Sequence, residues 1–231
     1  MKPKPIGIIG GAGPIAGISL LKDIISFARV QYGCWKDEDF PEILFISFPF
    51  SDMLSEEAKA SQIRRELRSC LQKLRRAGAA ALGIACNTLH AFLEPQELKS
   101  TDLLRLPQLA RAEIPAFATP LVLNTSTSRR LSLYSKEFPC RYPNQPVQRE
   151  LDELIIQILK GIDVLAQLQA LISAQDEEVI LLGCTELSLY TSRLTESSQK
   201  IIDPLKILAK KLIKTSMKKE GGDWYNTVFA R

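Results

Sequence analysis

Short apolar runs alternate along the chain with longer stretches in which apolar residues recur every three or four positions. Four of the runs have the length and composition of buried strands: 6–10, 42–48, 79–85 and 178–182. The stretch 56–76 predicts an amphipathic helix, because Ile63, Leu67 and Leu74 fall on one face and charged residues on the other. This alternation is typical of α/β proteins with a parallel sheet.

The second half of the chain follows the same pattern less regularly. Residues 115–123 are strand-like, and three later stretches predict helices: 147–159, 163–173 and 204–218. A polar turn is expected at 125–128. The last of the four apolar runs is followed by a turn at 183–186 that should lead into another helix.

Residues at two strand ends predict how the following helices begin. Pro14 suits the first turn of a helix after the first strand, since its missing N–H costs nothing there. Asn87 and Thr88 are expected to cap a helix after the third strand.

Two segments of the chain repeat one arrangement. Residues 82–88 (LGIACNT) and 180–186 (ILLGCTE) each form an apolar strand that ends at a cysteine and is followed by polar residues. The repeat indicates two related α/β halves, each with a cysteine at the carboxyl end of a strand, which is the edge where open α/β sheets bind ligands. We expect the following division: 1–112 with a returning helix at 205–220, 113–204 as a shortened second domain, and a tail at 221–231.

Composition excludes several classes of protein. The 231 residues carry a net charge of +4, with 45% hydrophobic and 24% charged residues, as in an ordinary globular protein. Lysines cluster near the C-terminus without interleaved aromatic residues, which favours a solvated helix face over a nucleic-acid surface. No run of about 18 apolar residues occurs, and the chain begins with strand-like sequence, so we expect no membrane segment and a cytoplasmic location.

The five cysteines indicate neither a disulfide framework nor a zinc site, because their number is odd and no two have CxxC spacing. The single histidine, His90, excludes a multi-histidine metal centre. Cys34, Cys70 and Cys140 are expected to lie in the core, since cysteine is among the most buried residue types.

Cys86 and Cys184 differ from the other three cysteines, because polar residues follow each of them at once. A thiol has a reference pKa of about 8.5, and unpaired N–H groups at a helix N-terminus favour its anion. We therefore expect lowered thiol pKa values at both positions. Two such thiols across a cleft suit the inversion of a stereocentre, in which one removes the Cα proton and the other protonates the opposite face.

Residues beside the two cysteines suit the same chemistry. Asn87, Thr88 and Thr185 are suitable hydrogen-bond donors to a substrate carboxylate, together with backbone N–H groups at the two helix starts. His90 and Glu186 could tune a thiol or relay its proton, although a structural histidine and an acid in a first helical turn explain them as well.

With these motifs in view, the chain resembles the aspartate/glutamate racemase family over nearly its whole length. The resemblance is carried by three segments in order: 8–14 (IIGGAGP), 85–90 (ACNTLH) and 182–187 (LGCTEL). It implies two pseudo-symmetric three-layer α/β domains with mostly parallel sheets and an active site between them. It also implies an amino-acid racemase that uses neither pyridoxal phosphate nor another cofactor, and that is often a homodimer.

Carried over by position, the resemblance makes Cys86 and Cys184 the two catalytic bases. The substrate-binding positions that it implies are Gly11, Ser47, Asp52, Met53, Asn87, Thr88, Ser128, Lys160 and Thr185. Three features depart from the family pattern. Met53 stands where aspartate-specific members commonly have an arginine, and Thr127 replaces a glycine. The two cysteines are also closer in the sequence than is usual in the family. A neutral substrate is therefore an open alternative to an acidic one.

Three other interpretations remain open. Residues 11–16 (GAGPIA) fit a dinucleotide-binding fingerprint, but no acid ends the second strand to hold a ribose. Another enzyme on the same scaffold, such as a hydantoin racemase, maleate isomerase or arylmalonate decarboxylase, would share the cleft. A binding protein that has lost turnover would bind an amino acid without exchanging its α-proton.

Overall fold

The computed structural model describes residues 2–51, 60–195 and 198–218. Within these ranges the chain forms two parallel sheets with helices packed against them, which confirms the predicted α/β class. Across the same ranges, no helix combines the length and the hydropathy that a membrane span requires.

The first sheet has the strand order β2-β1-β3-β4, with every pair parallel. Its strands are β1 Ile6–Gly10, β2 Ile43–Ser47, β3 Ala81–Ile84 and β4 Leu103–Leu104. Every residue of β1 and β3 is buried, as expected for continuous apolar runs that are covered on both faces. The two residues of β4 are too few to produce a pattern, and this strand was not predicted.

The second sheet has the order β5-β6-β7 and is also parallel. Its strands are β5 Leu121–Leu123, β6 Val179–Leu182 and β7 Lys200–Ile202. The predicted strand at 115–123 shrinks to three residues, because Pro115 and Pro120 lack the N–H groups that a ladder needs. Strand β7 was not predicted, since it is short and its first residue is exposed.

The helices in the described ranges are α1 Pro14–Tyr32, α2 Ala60–Arg76, α3 Pro95–Leu98, α4 Leu106–Glu113, α5 Ser126–Arg130, α6 Gln145–Leu159, α7 Leu165–Ser173 and α8 Pro204–Ser216. Pro14 occupies the first turn of α1, as predicted. Helix α2 buries the predicted face of Ile63, Leu67 and Leu74. The predicted start of this helix at 56–59 lies outside the described residues.

Both cysteine-bearing strands are followed by short 3-10 helices, Thr88–Phe92 and Leu187–Leu189, where α-helices were predicted. Asn87 was expected to cap the first of them and makes no capping bond. Its amide oxygen instead accepts a hydrogen bond from Tyr134, which explains why the cap is absent. Because these 3-10 helices are short, each contributes few aligned peptide dipoles near its cysteine.

Helix α8 returns to the first sheet, where it packs against α1, β1 and β3. Its Leu208 and Leu212 side chains lie over Gly83 of β3. Asp203 caps the helix by accepting two N–H groups of its first turn. Helices α1 and α8 thus cover one face of the first sheet and α2 covers the other, while α6 and α7 pack on the second sheet.

Candidate active site

A cavity of about 200 Å³ lies at the carboxyl ends of strands from both sheets. Its wall consists of Gly11, Ala12, Gly13, Phe50, Ser51, Cys86, Asn87, Thr88, Thr125, Ile155, Leu159, Cys184, Thr185 and Glu186. Pockets for drug-sized ligands have roughly 300–1,000 Å³, so this volume suits a smaller metabolite. Among the described residues, no group of three or more His, Cys, Asp and Glu side chains could hold a metal ion.

The structure brings Cys86 and Cys184 to this cavity from the two halves of the chain. Each follows its strand, β3 or β6, by two residues. Each is a free thiol, with 8% and 6% of the residue exposed, respectively. The two segments are in direct contact, because the Thr185 hydroxyl donates to the Ala85 carbonyl oxygen over 3.3 Å. The two thiols therefore border one small space.

The expected lowering of the thiol pKa values is wrong. Burial and, next, the negative charge of Glu186 raise the pKa of Cys86 to about 12. The same two causes, in the same order, raise the pKa of Cys184 well above its ordinary value. The short 3-10 helices that follow supply few aligned dipoles, so the loss of water outweighs their effect. Both groups are therefore neutral thiols in the free cavity at neutral pH.

Glu186 is bonded directly to Cys184. The Cys184 Sγ donates to Oε2 of Glu186 over 3.0 Å, and the Thr185 hydroxyl donates to the same oxygen over 3.3 Å. Gly13, at φ +80°, leaves space for this carboxylate, because a Cβ there would collide with Oε1. Burial raises the pKa of Glu186 above its usual range. A carboxylate of raised basicity in this position can accept the Cys184 proton.

Asn87 has its side-chain amide fixed by a residue that sequence reasoning missed. The hydroxyl of Tyr134, a fully buried side chain, donates to Oδ1 of Asn87. The amide nitrogen Nδ2 is buried and has no partner among the described residues. A buried donor without an acceptor is costly, and a substrate carboxylate in the cavity would satisfy it. Tyr134 belongs to no motif and is 47 positions from Asn87, so the sequence carried no signal for this pair.

Three hydroxyl groups form a chain beside the cavity. Thr88 Oγ1 lies 2.8 Å from Ser128 Oγ, which also accepts from Thr125 Oγ1 over 3.2 Å. Thr88 and Thr125 line the cavity. Ser128 was predicted to bind substrate, but it lies outside the cavity wall and is hydrogen-bonded to the other two hydroxyls. The predicted polar turn at 125–128 is the start of α5, because the Thr125 side chain accepts the Ser128 N–H.

His90 lies outside the cavity wall. Its Nδ1 donates to the Cys86 carbonyl oxygen over 2.9 Å, and its Nε2 accepts the Leu106 N–H over 3.3 Å. The two bonds require one protonated and one free ring nitrogen, so the imidazole is neutral. Burial accordingly lowers the pKa of His90 to about 4. His90 joins the Cys86 segment to the start of α4 and has no ring nitrogen left to relay a proton.

The other predicted substrate-binding residues are placed differently. Gly11 lines the cavity at φ +95°, and a Cβ there would collide with the backbone that follows β2. Ser47, at the end of β2, and Lys160, after α6, are exposed and do not belong to the lining set. Asp52 and Met53 lie outside the described residues.

Several lining residues were not predicted. Phe50 and Ser51 follow β2 as the cysteines follow their strands, so the strand-end rule could have found them. Glu66 of α2 holds Ser51 by accepting both its N–H, over 3.0 Å, and its hydroxyl, over 2.7 Å. Ile155 and Leu159 come from α6, and only the tertiary fold brings them to the cavity.

Comparison of sequences agrees with this geometry. Residues 9–212 match the model of a family described as Asp/Glu/Hydantoin racemase. The chain is also similar to the broad specificity amino-acid racemase RacX of Bacillus subtilis (strain 168). The two are 25% identical over 224 residues, which cover 91% of this chain and 97% of that relative.

Solved structures share the fold at lower identity. An aspartate racemase homologue from Pyrococcus horikoshii OT3 aligns with a TM-score of 0.71 and 24% identity over 93% of this chain and 100% of its own. The aspartate racemase of Picrophilus torridus aligns with a TM-score of 0.72 and 20% identity over 96% and 98%. Glutamate racemase from Thermus thermophilus aligns with a TM-score of 0.64 and 18% identity, over 91% of this chain and 79% of its own.

Proposed function

The chain belongs to the Asp/Glu/Hydantoin racemase family and is an isomerase, and on this premise we propose that it interconverts L- and D-amino acids without a cofactor. Cys86 and Cys184 are the two bases. One observation carries the proposal: each half of the chain places one buried thiol on a single small cavity. Inversion at Cα requires a proton acceptor on one face of the substrate and a proton donor on the other.

The reaction begins with the loss of a thiol proton, because both thiols are neutral in the free cavity. Glu186 accepts the proton of Cys184 through the 3.0 Å contact between Sγ and Oε2. The Cys184 thiolate then removes the Cα proton, and Cys86 donates its thiol proton to the opposite face. The products are the inverted amino acid, a Cys184 thiol, a Cys86 thiolate and a protonated Glu186. The reverse reaction starts from this state, in which Cys86 removes the Cα proton of the opposite enantiomer and Cys184 donates its own.

The raised thiol pKa values are compatible with this role. A Cα–H is a very weak acid, and the thiolate of a high-pKa thiol is a stronger base toward it than an ordinary thiolate. The surroundings must then stabilise the charge that develops on the substrate. Asn87 Nδ2 and the hydroxyls of Thr88 and Thr185 are donors on the cavity wall that would hold the α-carboxylate and draw that charge onto it.

The proposal is tested by following the inversion of single amino-acid enantiomers by chiral chromatography. Wild type is compared with Cys86→Ala, Cys184→Ala and the control Cys140→Ser, whose thiol lies outside the cavity wall. We expect inversion with wild type and the control, and a loss of roughly 10²- to 10⁴-fold in each of the two alanine variants. Near-normal inversion in either alanine variant would contradict the two-thiol mechanism.

A further inference from the structure

Part of the cavity wall is not used by the proposed proton transfers. Ala12, Phe50, Ile155 and Leu159 present apolar side chains to the same space as the thiols. Phe50 is held edge-on against Phe48, with ring centroids 4.9 Å apart. Ile155 is anchored in the core of the second half and is only 2% exposed. This apolar surface is therefore formed by two loop residues of the first half, Ala12 and Phe50, and by two residues of α6, Ile155 and Leu159.

The described part of the same wall offers no cationic partner for a second carboxylate. Among the described lining residues there is no lysine, arginine or histidine. Apart from the thiols, the one ionisable lining side chain in the described ranges is Glu186, whose negative charge would repel another anion. An unpaired carboxylate loses its hydration in such a site without compensation, whereas an apolar side chain gains from leaving water.

The polar donors of the wall are sufficient for the α-carboxylate alone. Among the described lining residues, Asn87 Nδ2 is the buried side-chain donor without a partner. The Thr88 hydroxyl is already shared with Ser128, and the Thr185 hydroxyl with Ala85 and Glu186. A side-chain carboxylate would compete for these few donors, so the apolar surface is left for the substrate side chain.

We propose that the substrate is an amino acid with an uncharged aliphatic or thioether side chain, held by Phe50, Ile155 and Leu159. The inference rests on the proposed racemase function, which it narrows to a substrate class. The cavity of about 200 Å³ must hold the whole amino acid, so compact side chains such as those of norvaline, leucine and methionine fit this class.

The first test compares substrates by α-proton exchange in D₂O, followed by NMR. L-norvaline and L-methionine are set against L-glutamate and L-aspartate, with L-glutamine as an uncharged match for glutamate. We expect kcat/KM for norvaline and methionine to exceed that for the two acids at least about tenfold, which corresponds to about 1.4 kcal/mol. Equal or faster exchange of the acids overturns the inference.

A matched pair of variants tests the subsite itself. Leu159 and Ile156 both lie on α6 and are similarly exposed, 45% and 43%, but only Leu159 belongs to the cavity wall. Leu159→Arg should shift the norvaline-to-glutamate ratio of kcat/KM at least about tenfold toward glutamate, because it supplies the missing cation. Ile156→Arg should leave the ratio unchanged. An equal shift in both variants overturns the assignment of Leu159.

Different results would overturn the racemase proposal and the proposal of an uncharged substrate. If the protein neither inverts nor exchanges any amino acid, the proposed function fails. Titration calorimetry of wild type with norvaline and glutamate then decides the substrate class. Tighter binding of norvaline supports the apolar subsite, whereas tighter or equal binding of glutamate, or binding of neither, overturns it.

Discussion

At the scale of single residues, Glu186 affects the two thiols through its charge and through a hydrogen bond. Its negative charge raises the pKa of both thiols, while its Oε2 receives the Sγ–H of Cys184. In Glu186→Gln, we expect faster alkylation of Cys86 by iodoacetamide, because its pKa falls. Racemisation should nevertheless slow by roughly 10²-fold or more, because the proton acceptor is lost.

Mass spectrometry of the alkylated peptides and chiral chromatography of the products give the two rates. Glu186→Asp, which keeps the charge, is the control for the change in pKa. Normal turnover in Glu186→Gln would remove this carboxylate from the mechanism and leave it a structural role only.

His90 offers a second residue-scale prediction, since it is the only histidine in the chain. Its imidazole resonances are therefore unambiguous in NMR, and we expect them not to titrate between pH 8 and pH 5. The folded pKa of about 4 lies below the ordinary value of 6.5. Between these values the unfolded chain binds a proton that the folded chain does not, so the free energy of unfolding falls as the pH falls.

The full effect of this proton on stability is about 3 kcal/mol at most. Urea unfolding of wild type and of His90→Asn is measured at pH 7 and at pH 4.5. The carboxylates titrate in both proteins, so the difference between the two proteins isolates the contribution of His90. The stability advantage of wild type should shrink at the lower pH. An imidazole midpoint near its ordinary value would show that the ring of His90 is not buried in solution as it is in the structure.

At the scale of elements, Asp203 connects β7 and α8 to the segment that follows Cys184. Its carboxylate accepts two N–H groups of α8 and the hydroxyls of Ser188 and Thr191. Asp203→Ala should lower the free energy of unfolding by about 2–4 kcal/mol, because several buried donors lose their acceptor. Asn144→Ala, which removes the exposed cap of α6, should cost about 1 kcal/mol. Equal losses in urea unfolding would show that Asp203 serves only as a helix cap.

The elements also show what the sequence can and cannot predict. Strands β1, β3 and β6 were predictable because they are continuous apolar runs, and α2 because its apolar face repeats. The two or three residues of β4 and β7 give no such pattern, and these strands depend on neighbours distant in the chain. Likewise, the position of the two cysteines at strand ends could be predicted from the sequence. The direction of their pKa shifts could not, because it depends on burial in the folded protein.

At the scale of the whole molecule, the cavity exists because the two halves meet. Thr185 bonds to Ala85, and Arg105 forms an ion pair with Glu137 at 3.0 Å, so polar contacts join the halves at the cavity and elsewhere. We propose that 1–112 with α8 and 113–204 are two domains, each contributing one base. With this division, the base from one half removes the Cα proton from one face of the substrate and the base from the other half protonates the opposite face.

The most direct test of this mechanism follows α-proton exchange in D₂O from each enantiomer separately, with Cys86→Ala and Cys184→Ala. A variant with one remaining thiol can remove the Cα proton from one face only and must return a deuteron to that face. Two-base chemistry therefore predicts that inversion falls roughly 10²- to 10⁴-fold in both variants. It also predicts that the residual exchange is limited to opposite enantiomers in the two. Exchange of the same enantiomer by both variants, or inversion by either at the wild-type rate, would contradict it.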